Sequence, residues 1–242
     1  MSDPVAIGRG VPRKDARDKV RGLTRYTDDF VLPGMLYTAI VTSPHAHAEV
    51  LEIEDGEARS IPGVRGVFSG KDFPNRVGLY LGDKPALAHG RVRYFGEPVV
   101  AVVADEERTA ISAARRVTVR YKELVPIRSP RQGLDPDAPI LHPDMADYVH
   151  IPAIMPKPGT NVAHHTKIRK GNMEAGFAEA DDVVEGAYSF PPADHAAMEP
   201  RVAIARIGAD GQVVIRTSTQ SPYGVRAIMS RCLGLDPGKI TI

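Results

Sequence analysis

The sequence has little cysteine, no long apolar run and almost no excess of charge. Its 242 residues include a single cysteine, Cys232, which excludes a disulfide framework, a cysteine-ligated iron–sulfur cluster and a structural zinc site within the chain. No stretch approaches the roughly 18 apolar residues of a membrane span, and the N-terminal residues lack the apolar core of a signal peptide. The formal net charge of +1 gives no electrostatic attraction to nucleic acid or acidic lipid. We therefore expect a cytoplasmic protein that binds neither nucleic acid nor membranes.

Segments of high β-propensity mark the strands of a first unit. MLYTAIVT and EVLEI, which begin at Met35 and Glu49, are rich in β-branched residues and predict strands. The run VVAVVA (residues 99–104) is continuously apolar, as in a strand buried on both faces. VTVRY, beginning at Val117, predicts a further strand.

A helix is predicted between these last two strands. We expect Asp105 to cap its first turn, and apolar residues recur at helical spacing at Ala110, Ile111, Ala114 and Val117. The strand–helix–strand order favours an α/β domain. We assign residues 18–125 to this domain and residues 1–17 to an extended N-terminal segment.

Residues 126–160 form a proline-rich strap without periodicity. Proline removes backbone donors and restricts the residue before it, and about 35 residues is long for a simple linker. We expect the strap to lie extended over a surface, either of this chain or of a partner.

Residues 161–242 predict a second unit of mixed α and β structure. Asn172 is placed to cap a short helix, and DVVEGAYSF (residues 182–190) alternates like a strand. RVAIARI and QVVIRTST flank GADG, which predicts a hairpin. Ser221 stands at an N-cap position before Pro222, and Gly234 is placed to end the helix that follows.

The closing DPGKITI predicts a turn and the opening of another strand. A strand–helix–strand unit that stops at its second strand leaves an unpaired apolar edge. We therefore expect residues 161–242 to be an incomplete domain, belonging to a fragment or to one piece of a split subunit.

Histidine pairs are the first candidates for chemistry. His45 and His47 would face the same way on a strand and could share a metal, but Pro44 before them favours a loop, and no acidic or cysteine ligand lies at a recognised spacing. His164 and His165 are adjacent and point to opposite sides if the segment is extended. We interpret these histidines as structural or surface residues and predict no metal site.

Two acidic candidates have ordinary explanations. Asp28 and Asp29 are neighbouring carboxylates on a predicted turn, where such pairs are usually solvated. His195 and Glu199 are four residues apart and could form an acid–base pair on a helical turn. They could equally tie down a loop, with Glu199 accepting backbone hydrogen bonds, and we favour this structural role.

Gln220 is the most informative polar residue because it lies where a predicted strand ends and a predicted helix begins. Its amide offers two donors and an acceptor without charge. The free N–H groups of the first helical turn lie just beyond it, at the positive end of the helix dipole. Gln220 could therefore contact an electron-rich ligand, or it could bond local backbone at the strand end, and the residues alone leave both readings open.

An ordered set of motifs resembles one known family. RKDARDKVRGLTRYTDDFVLPGML, TSPHAHAEV, IPGV, VRYFGEPVVAVVA and VTVRYKELVPI follow in the order of the α/β hammerhead domain of the xanthine dehydrogenase, aldehyde oxidoreductase and carbon monoxide dehydrogenase family. GNMEAGFAEADDVVEGAYSF, HAAMEP, STQSPYGVR and LGLDPGKITI resemble the start of the adjoining molybdopterin-binding domain. The chain is similar to the N-terminal portion of the large, molybdenum-binding subunit. One departure is Asn172, where the family usually has aspartate after the glycine, and we interpret it as an exchange of one cap residue for another.

The resemblance implies a fold and an activity. The fold is a hammerhead-type α/β domain followed by the beginning of a molybdopterin-binding α+β domain. The activity is oxidative hydroxylation of a carbon centre of a small molecule, with water as the oxygen source and a molybdenum–molybdopterin cofactor performing the difficult step. Electrons leave through [2Fe–2S] clusters to FAD, which are carried by partner subunits or domains of an oligomer.

The resemblance also implies one role for a residue of this chain. The family's glutamine at the end of the STQ strand reaches an oxygen ligand of the molybdenum, and Gln220 occupies that place. The family's remaining pterin-contacting loops and its catalytic glutamate lie beyond the motifs present here. We therefore expect the 242-residue chain alone to be inactive and to contain no molybdenum. The alternative is a non-catalytic subunit-interaction or assembly module of such a complex.

Overall fold

The computed structural model describes residue 8 and residues 10–242. The predicted N-terminal segment 1–17 therefore lies partly outside the described residues, and its described part runs into a short helix that begins at Ala16. The elements of the first unit are, in chain order, α1 (Ala16–Val20), β1 (Tyr37–Thr42), β2 (Ala48–Glu54), α2 (Gly56–Ser60), β3 (Val64–Ser69), β4 (Arg76–Val77), β5 (Lys84–Pro85), β6 (Arg91–Val92), β7 (Pro98–Ala104), α3 (Glu107–Ala114) and β8 (Thr118–Glu123).

Strand β7 is the centre of the first unit. It pairs antiparallel with β1 on one side and with β3 on the other. Val99, Val100, Val102 and Ala104 are fully buried, which confirms that the apolar run is a buried central strand. Helices α2 and α3 pack against this sheet through Ala58, Ala110 and Ala113.

The second sheet of this unit has the order β6–β2–β8, with antiparallel pairing throughout. The predicted strand–helix–strand run is therefore real, but β7 and β8 belong to different sheets and do not form a parallel pair. The two strands β4 and β5 form a separate antiparallel ribbon.

The predicted helix α3 is confirmed, but one detail of its prediction is wrong. Asp105 does not cap the helix, because its Oδ1 atom pairs with Nε of Arg65 at 2.7 Å and the N-cap position falls on Glu106, whose side chain makes no capping bond. The helix turns Ala110 and Ala113 towards the sheet, whereas Ile111 is 42% exposed.

The strap lies on the chain's own first unit, which settles the choice that the sequence left open. The backbone N–H of Gly82 donates to the Val149 carbonyl (2.7 Å), and that of Ile151 donates to the Tyr80 carbonyl (3.0 Å). Farther back, Nε of Arg93 donates to the Leu141 carbonyl at 3.0 Å. The strap also contains one short helix, α4 (Pro130–Gly133), with Ser129 as its cap.

The second unit contains α5 (Met173–Ala178), β9 (Ala203–Ile207), β10 (Val213–Thr217), α6 (Pro222–Leu233) and β11 (Ile240–Thr241). Strand β10 is central, antiparallel to β9 and parallel to β11. The predicted hairpin, the Asn172 cap on α5 and the left-handed Gly234 after α6 (φ 65°) are all confirmed. Val213, Ile215 and Ile240 form a small core under α6.

The strand predicted for residues 182–190 is wrong. This segment belongs to no sheet, and every residue from 165 to 198 is exposed. Alternation specifies which side chains share a face, but a strand forms only when its backbone groups find a partner, and no other part of the described chain pairs with this segment. Within the described residues, none of the helices combines the length and apolar composition that a membrane crossing requires.

Candidate functional site at the junction of strand β10 and helix α6

Gln220 lies on the short connection between β10 and α6, and it is exposed. The end of the strand is fixed by Thr217, whose hydroxyl donates to the Val202 carbonyl at 2.9 Å. The turn is fixed by the backbone N–H of Ser221, which donates to Oγ1 of Thr219 at 3.0 Å. The neighbouring hydroxyls and not the Gln220 amide hold this turn, so among the described residues the amide is free to contact something else.

The first turn of α6 presents two backbone donors beside Gln220. Pro222 has no N–H, and the first helical bond runs from Val225 to the Ser221 carbonyl at 3.0 Å. The N–H groups of Tyr223 and Gly224 therefore have no helical partner. Ser221 occupies the N-cap position as predicted, but its side chain makes no capping bond.

The charges around this junction are neutral to positive. The first turn of α6 has no acidic residue, and the guanidinium of Arg226 lies 5.2 Å from the ring centroid of Tyr223. On β10, the guanidinium of Arg216 lies 3.9 Å from the ring centroid of Phe30. This arrangement favours an electron-rich ligand, because the first turn of α6 carries no carboxylate of its own to compete for the free donors.

Cys232, on the same helix, does not contribute a reactive thiolate. Burial raises the pKa of its thiol, so the group stays protonated at neutral pH, and the thiol is neither a ready nucleophile nor a ready metal ligand. Its carbonyl accepts a hydrogen bond from the side-chain amide of Asn75 at 3.0 Å.

His45 and His47 are structural residues of a loop, as the sequence interpretation favoured. Nδ1 of His47, a buried residue, lies 2.7 Å from the Val125 carbonyl. Nδ1 of His45 lies 3.4 Å from a carboxylate oxygen of Glu123, and its ring packs against the edge of Tyr121. No group of three metal-binding side chains occurs among the described residues.

The remaining candidates are not brought together. His164 accepts a hydrogen bond from the backbone of Met155 at 3.1 Å, and Asp28 and Asp29 are exposed, as expected of a turn. His195 and Glu199 do not lie on a helical turn, so the acid–base geometry is absent from the described structure. The loop contact expected of Glu199 is likewise not formed in the described structure, where the backbone N–H of Ala196 donates instead to a carboxylate oxygen of Asp194 at 2.6 Å.

A polar cluster between the strap and the first unit was missed by sequence reasoning. Nδ1 of His142 lies 2.9 Å from the Tyr148 hydroxyl, and Arg76 stacks on the Tyr148 ring and pairs with Asp144. Burial, followed by the nearby charge of Arg93, lowers the pKa of His142 to about 4. His142, Asp144 and Tyr148 are near one another in the strap, but Arg76 lies more than 60 residues earlier in the sequence, so no local signal could have indicated the whole cluster.

Comparison with known families covers both units. The aldehyde oxidase and xanthine dehydrogenase a/b hammerhead domain matches residues 21–125. The molybdopterin cofactor-binding domain matches residues 154–242. Fold and junction together therefore define the class of molybdenum-binding large subunits, with a hammerhead unit followed by the opening of a cofactor-binding unit.

Curated relatives agree with this class. The xanthine dehydrogenase molybdenum-binding subunit of Escherichia coli O157:H7 is 33% identical over 235 residues, which cover 92% of this chain and 29% of that protein. The nicotinate dehydrogenase large molybdopterin subunit of Eubacterium barkeri is 28% identical over 242 residues, which cover 99% of this chain and 53% of that protein. The chain thus spans between about a third and a half of the length of these relatives.

Solved structures give the same result. Reconstituted CO dehydrogenase from Oligotropha carboxidovorans matches with a TM-score of 0.81 and 28% identity, over 96% of this chain and 30% of that one. Quinoline 2-oxidoreductase from Pseudomonas putida 86 matches with a TM-score of 0.79 and 28% identity, over 96% of this chain and 29% of that one. The chain belongs to the xanthine dehydrogenase, aldehyde oxidoreductase and carbon monoxide dehydrogenase family and corresponds to the N-terminal portion of its molybdenum-binding subunit.

Proposed function

We propose that this chain acts as the N-terminal part of a molybdenum hydroxylase that oxidises a carbon centre of a small molecule, with water as the source of oxygen. Electrons pass to [2Fe–2S] clusters and FAD on partner subunits or domains. The observation that carries the proposal is the exposed amide of Gln220, which stands beside free helix donors at the junction of a matched molybdopterin-binding unit.

The residues at the junction fit one edge of a molybdenum–molybdopterin site. When bound, the cofactor supplies the two-electron oxidation. Gln220 would help to hold the cofactor by donating a hydrogen bond from its amide, and the N–H groups of Tyr223 and Gly224 would add a positive field. A neutral donor would suit an acceptor whose charge changes during the reaction, because a carboxylate would repel it and a lysine would favour one charge state.

Substitution of Gln220 in the assembled enzyme tests this role. We expect Gln220→Ala and Gln220→Glu to lower kcat by about 100-fold, the usual cost of losing one donor at a developing charge, with the molybdenum content unchanged. Gln212→Glu is the matched control, since Gln212 lies at the other end of β10 in the hairpin turn. A kcat for Gln220→Ala equal to that of the unsubstituted enzyme would refute the role.

We further propose that other polypeptide of the large subunit completes the site and that the 242-residue chain alone is inactive. The support is the exposed apolar side chains along residues 165–198, among them Val184, Tyr188, Phe190 and Met198 at 85–100% exposure, since such surface is normally covered. Metal analysis of the purified chain should find no stoichiometric molybdenum, and finding it would contradict this part of the proposal.

The same exposed segment favours the second candidate, a non-catalytic module that binds partner subunits. The two candidates differ in what Gln220 does. If the chain serves assembly alone, Gln220→Ala leaves both assembly and kcat intact, while truncation of the exposed apolar residues prevents assembly.

We propose four parts for the chain on this basis. They are the extended segment 1–17, the hammerhead domain 18–125, the strap 126–160 and the first part of the molybdopterin-binding domain 161–242. The matched ranges, 21–125 and 154–242, support this division without fixing its boundaries.

A further inference from the structure

The loop of residues 75–82, which contains β4, touches helix α6 at both ends of the helix. Near the end of α6, the side-chain amide of Asn75 donates to the Cys232 carbonyl at 3.0 Å, and Nη1 of Arg231 donates to the Gly78 carbonyl at 3.4 Å. Near the start of α6, a methyl group built on Gly224 would lie 3.7 Å from Cδ1 of Leu79. The first unit therefore contacts the helix that begins at Pro222, two residues after Gln220.

The loop is itself held from behind by the strap. The bonds from Ile151 to Tyr80 and from Gly82 to Val149, with the bridge between Leu81 and His150, fix its far side. Gly78 has a φ of 157°, and a side chain there would overlap the Leu81 carbonyl, so this turn requires glycine at that position. Strap, loop and helix form three stacked layers.

Helix α6 is only partly buried. None of its twelve residues is fully buried, and Met229 packs against the small core beneath the helix, so the contacts with the loop add to a modest anchoring. The turn before it is held by short local bonds through Thr217 and Thr219. Only Ser221 separates Gln220 from the first residue of α6, so a shift of the helix acts directly on this turn.

We propose that the loop of residues 75–82 is a positioning clamp for Gln220, acting through α6. The proposal rests on the proposed function, since it assigns Asn75 and Leu79 to the placement of the amide that contacts the molybdenum ligand. Neither residue touches substrate or cofactor in this role. Their effect on the reaction is geometric, because a displacement of about 1 Å at a reacting group is enough to lower its rate.

Hydrogen exchange of the backbone amides of α6 tests the clamp without any cofactor. Leu79→Ala and Asn75→Asp should each speed exchange at residues 225–228 by about five-fold, the effect of losing one hydrogen bond or a comparable packing contact. The matched controls are Leu51→Ala, which truncates another exposed leucine of the first unit, and Asn172→Asp, which exchanges one good cap for another. Leu79→Met, which keeps an apolar side chain of similar size at this position, should leave amide exchange in α6 as slow as in the unsubstituted chain.

Kinetics of the assembled enzyme give the second measurement. The two clamp variants should lower kcat while leaving KM unchanged, and the controls should change neither. Slow exchange of the β7 amides shows that a variant is folded. If Leu79→Ala is not folded by this measure, the result for Asn75→Asp decides the outcome.

Unchanged exchange in α6 overturns the clamp even where Gln220→Ala lowers kcat. Faster exchange with an unaffected Gln220→Ala enzyme supports the clamp and refutes the role of Gln220 instead.

Discussion

His142 lies in the strap and faces charged side chains of both the strap and the first unit. Burial is the largest cause of the lowered pKa of His142, the charges of Arg93 and Arg76 lower it further, and those of Asp83 and Asp144 oppose the shift. The ring is therefore neutral when the strap is docked, and it can hold its contact with the Tyr148 hydroxyl. The attachment of the strap thus depends on an uncharged histidine, which makes it sensitive to acid.

We expect the stability of the chain to fall as the pH drops from about 6.5 to about 4. The folded pKa of His142 is about 4, below the ordinary value of 6.5, so in this window the unfolded chain takes up a proton that the folded chain does not. The loss is about 2 kcal/mol, since a pKa unit corresponds to about 1.4 kcal/mol and partial exposure reduces the effect. Urea unfolding at several pH values measures it.

His142→Asn provides the comparison, because asparagine keeps a polar atom near Tyr148 and does not titrate. Its unfolding free energy should decline less steeply over the same pH range. His150→Asn, which removes an exposed histidine from the same strap, should leave the slope unchanged. Equal slopes for the His142 variant and the unsubstituted chain would show that another group controls the acid response.

A single residue, Gly234, determines where helix α6 ends. Gly234 has φ 65° and ψ 28°, and its N–H donates to the Ser230 carbonyl. A side chain at Gly234 would meet nothing within 4 Å. Gly234→Ala should therefore lower the unfolding free energy by about 1 kcal/mol through backbone strain alone, as measured by urea unfolding.

Gly56→Ala is the control of opposite sign. Gly56 begins helix α2, has open space around it and does not have a positive φ, so alanine there should stabilise by about 0.5 kcal/mol through the unfolded state. A loss of the same size at both positions would contradict the assignment of the cost at Gly234 to its backbone conformation.

Elements with strong local signals were the predictable ones. The central strand β7 was evident from an unbroken apolar run, and the hairpin β9–β10 and both ends of α6 from turn and cap residues. Residues 182–190 alternate as a strand should, yet they lack a partner, and pairing is a property of two segments. Asp105 was misjudged for a similar reason, because its distant partner Arg65 competes with the helix end.

In the candidate site too, features with a local signal were predictable and long-range contacts were not. The position of Gln220 between strand and helix could be predicted, since β10 and α6 both have clear local patterns. The contacts of Asn75 and Leu79 with α6 could not, because more than 140 residues separate the partners of these contacts and no short-range pattern encodes them. The same holds for the docking of the strap, where the sequence left this chain and a partner as equal choices.

The whole molecule is unevenly packed. The first unit and its strap are tied together by sheets and by strap bonds, whereas residues 165–198 are exposed throughout and contain only the short helix α5. Backbone that is exposed and makes few hydrogen bonds opens easily. Residues 165–198, which other polypeptide covers in the proposed function, should therefore also be the part of the chain that proteases cleave most readily.

Limited trypsin digestion of the purified chain should cut first at Lys167, Arg169 or Lys170. All three are exposed and lie outside regular structure, and such segments are the preferred sites of nicking. Lys122, which is also exposed but lies in strand β8, is the internal control and should be cut much later. Mass spectrometry of the early fragments identifies the sites. Early cleavage at Lys122 would contradict the uneven packing, and strong protection of residues 167–170 in the assembled enzyme would identify this segment as covered there.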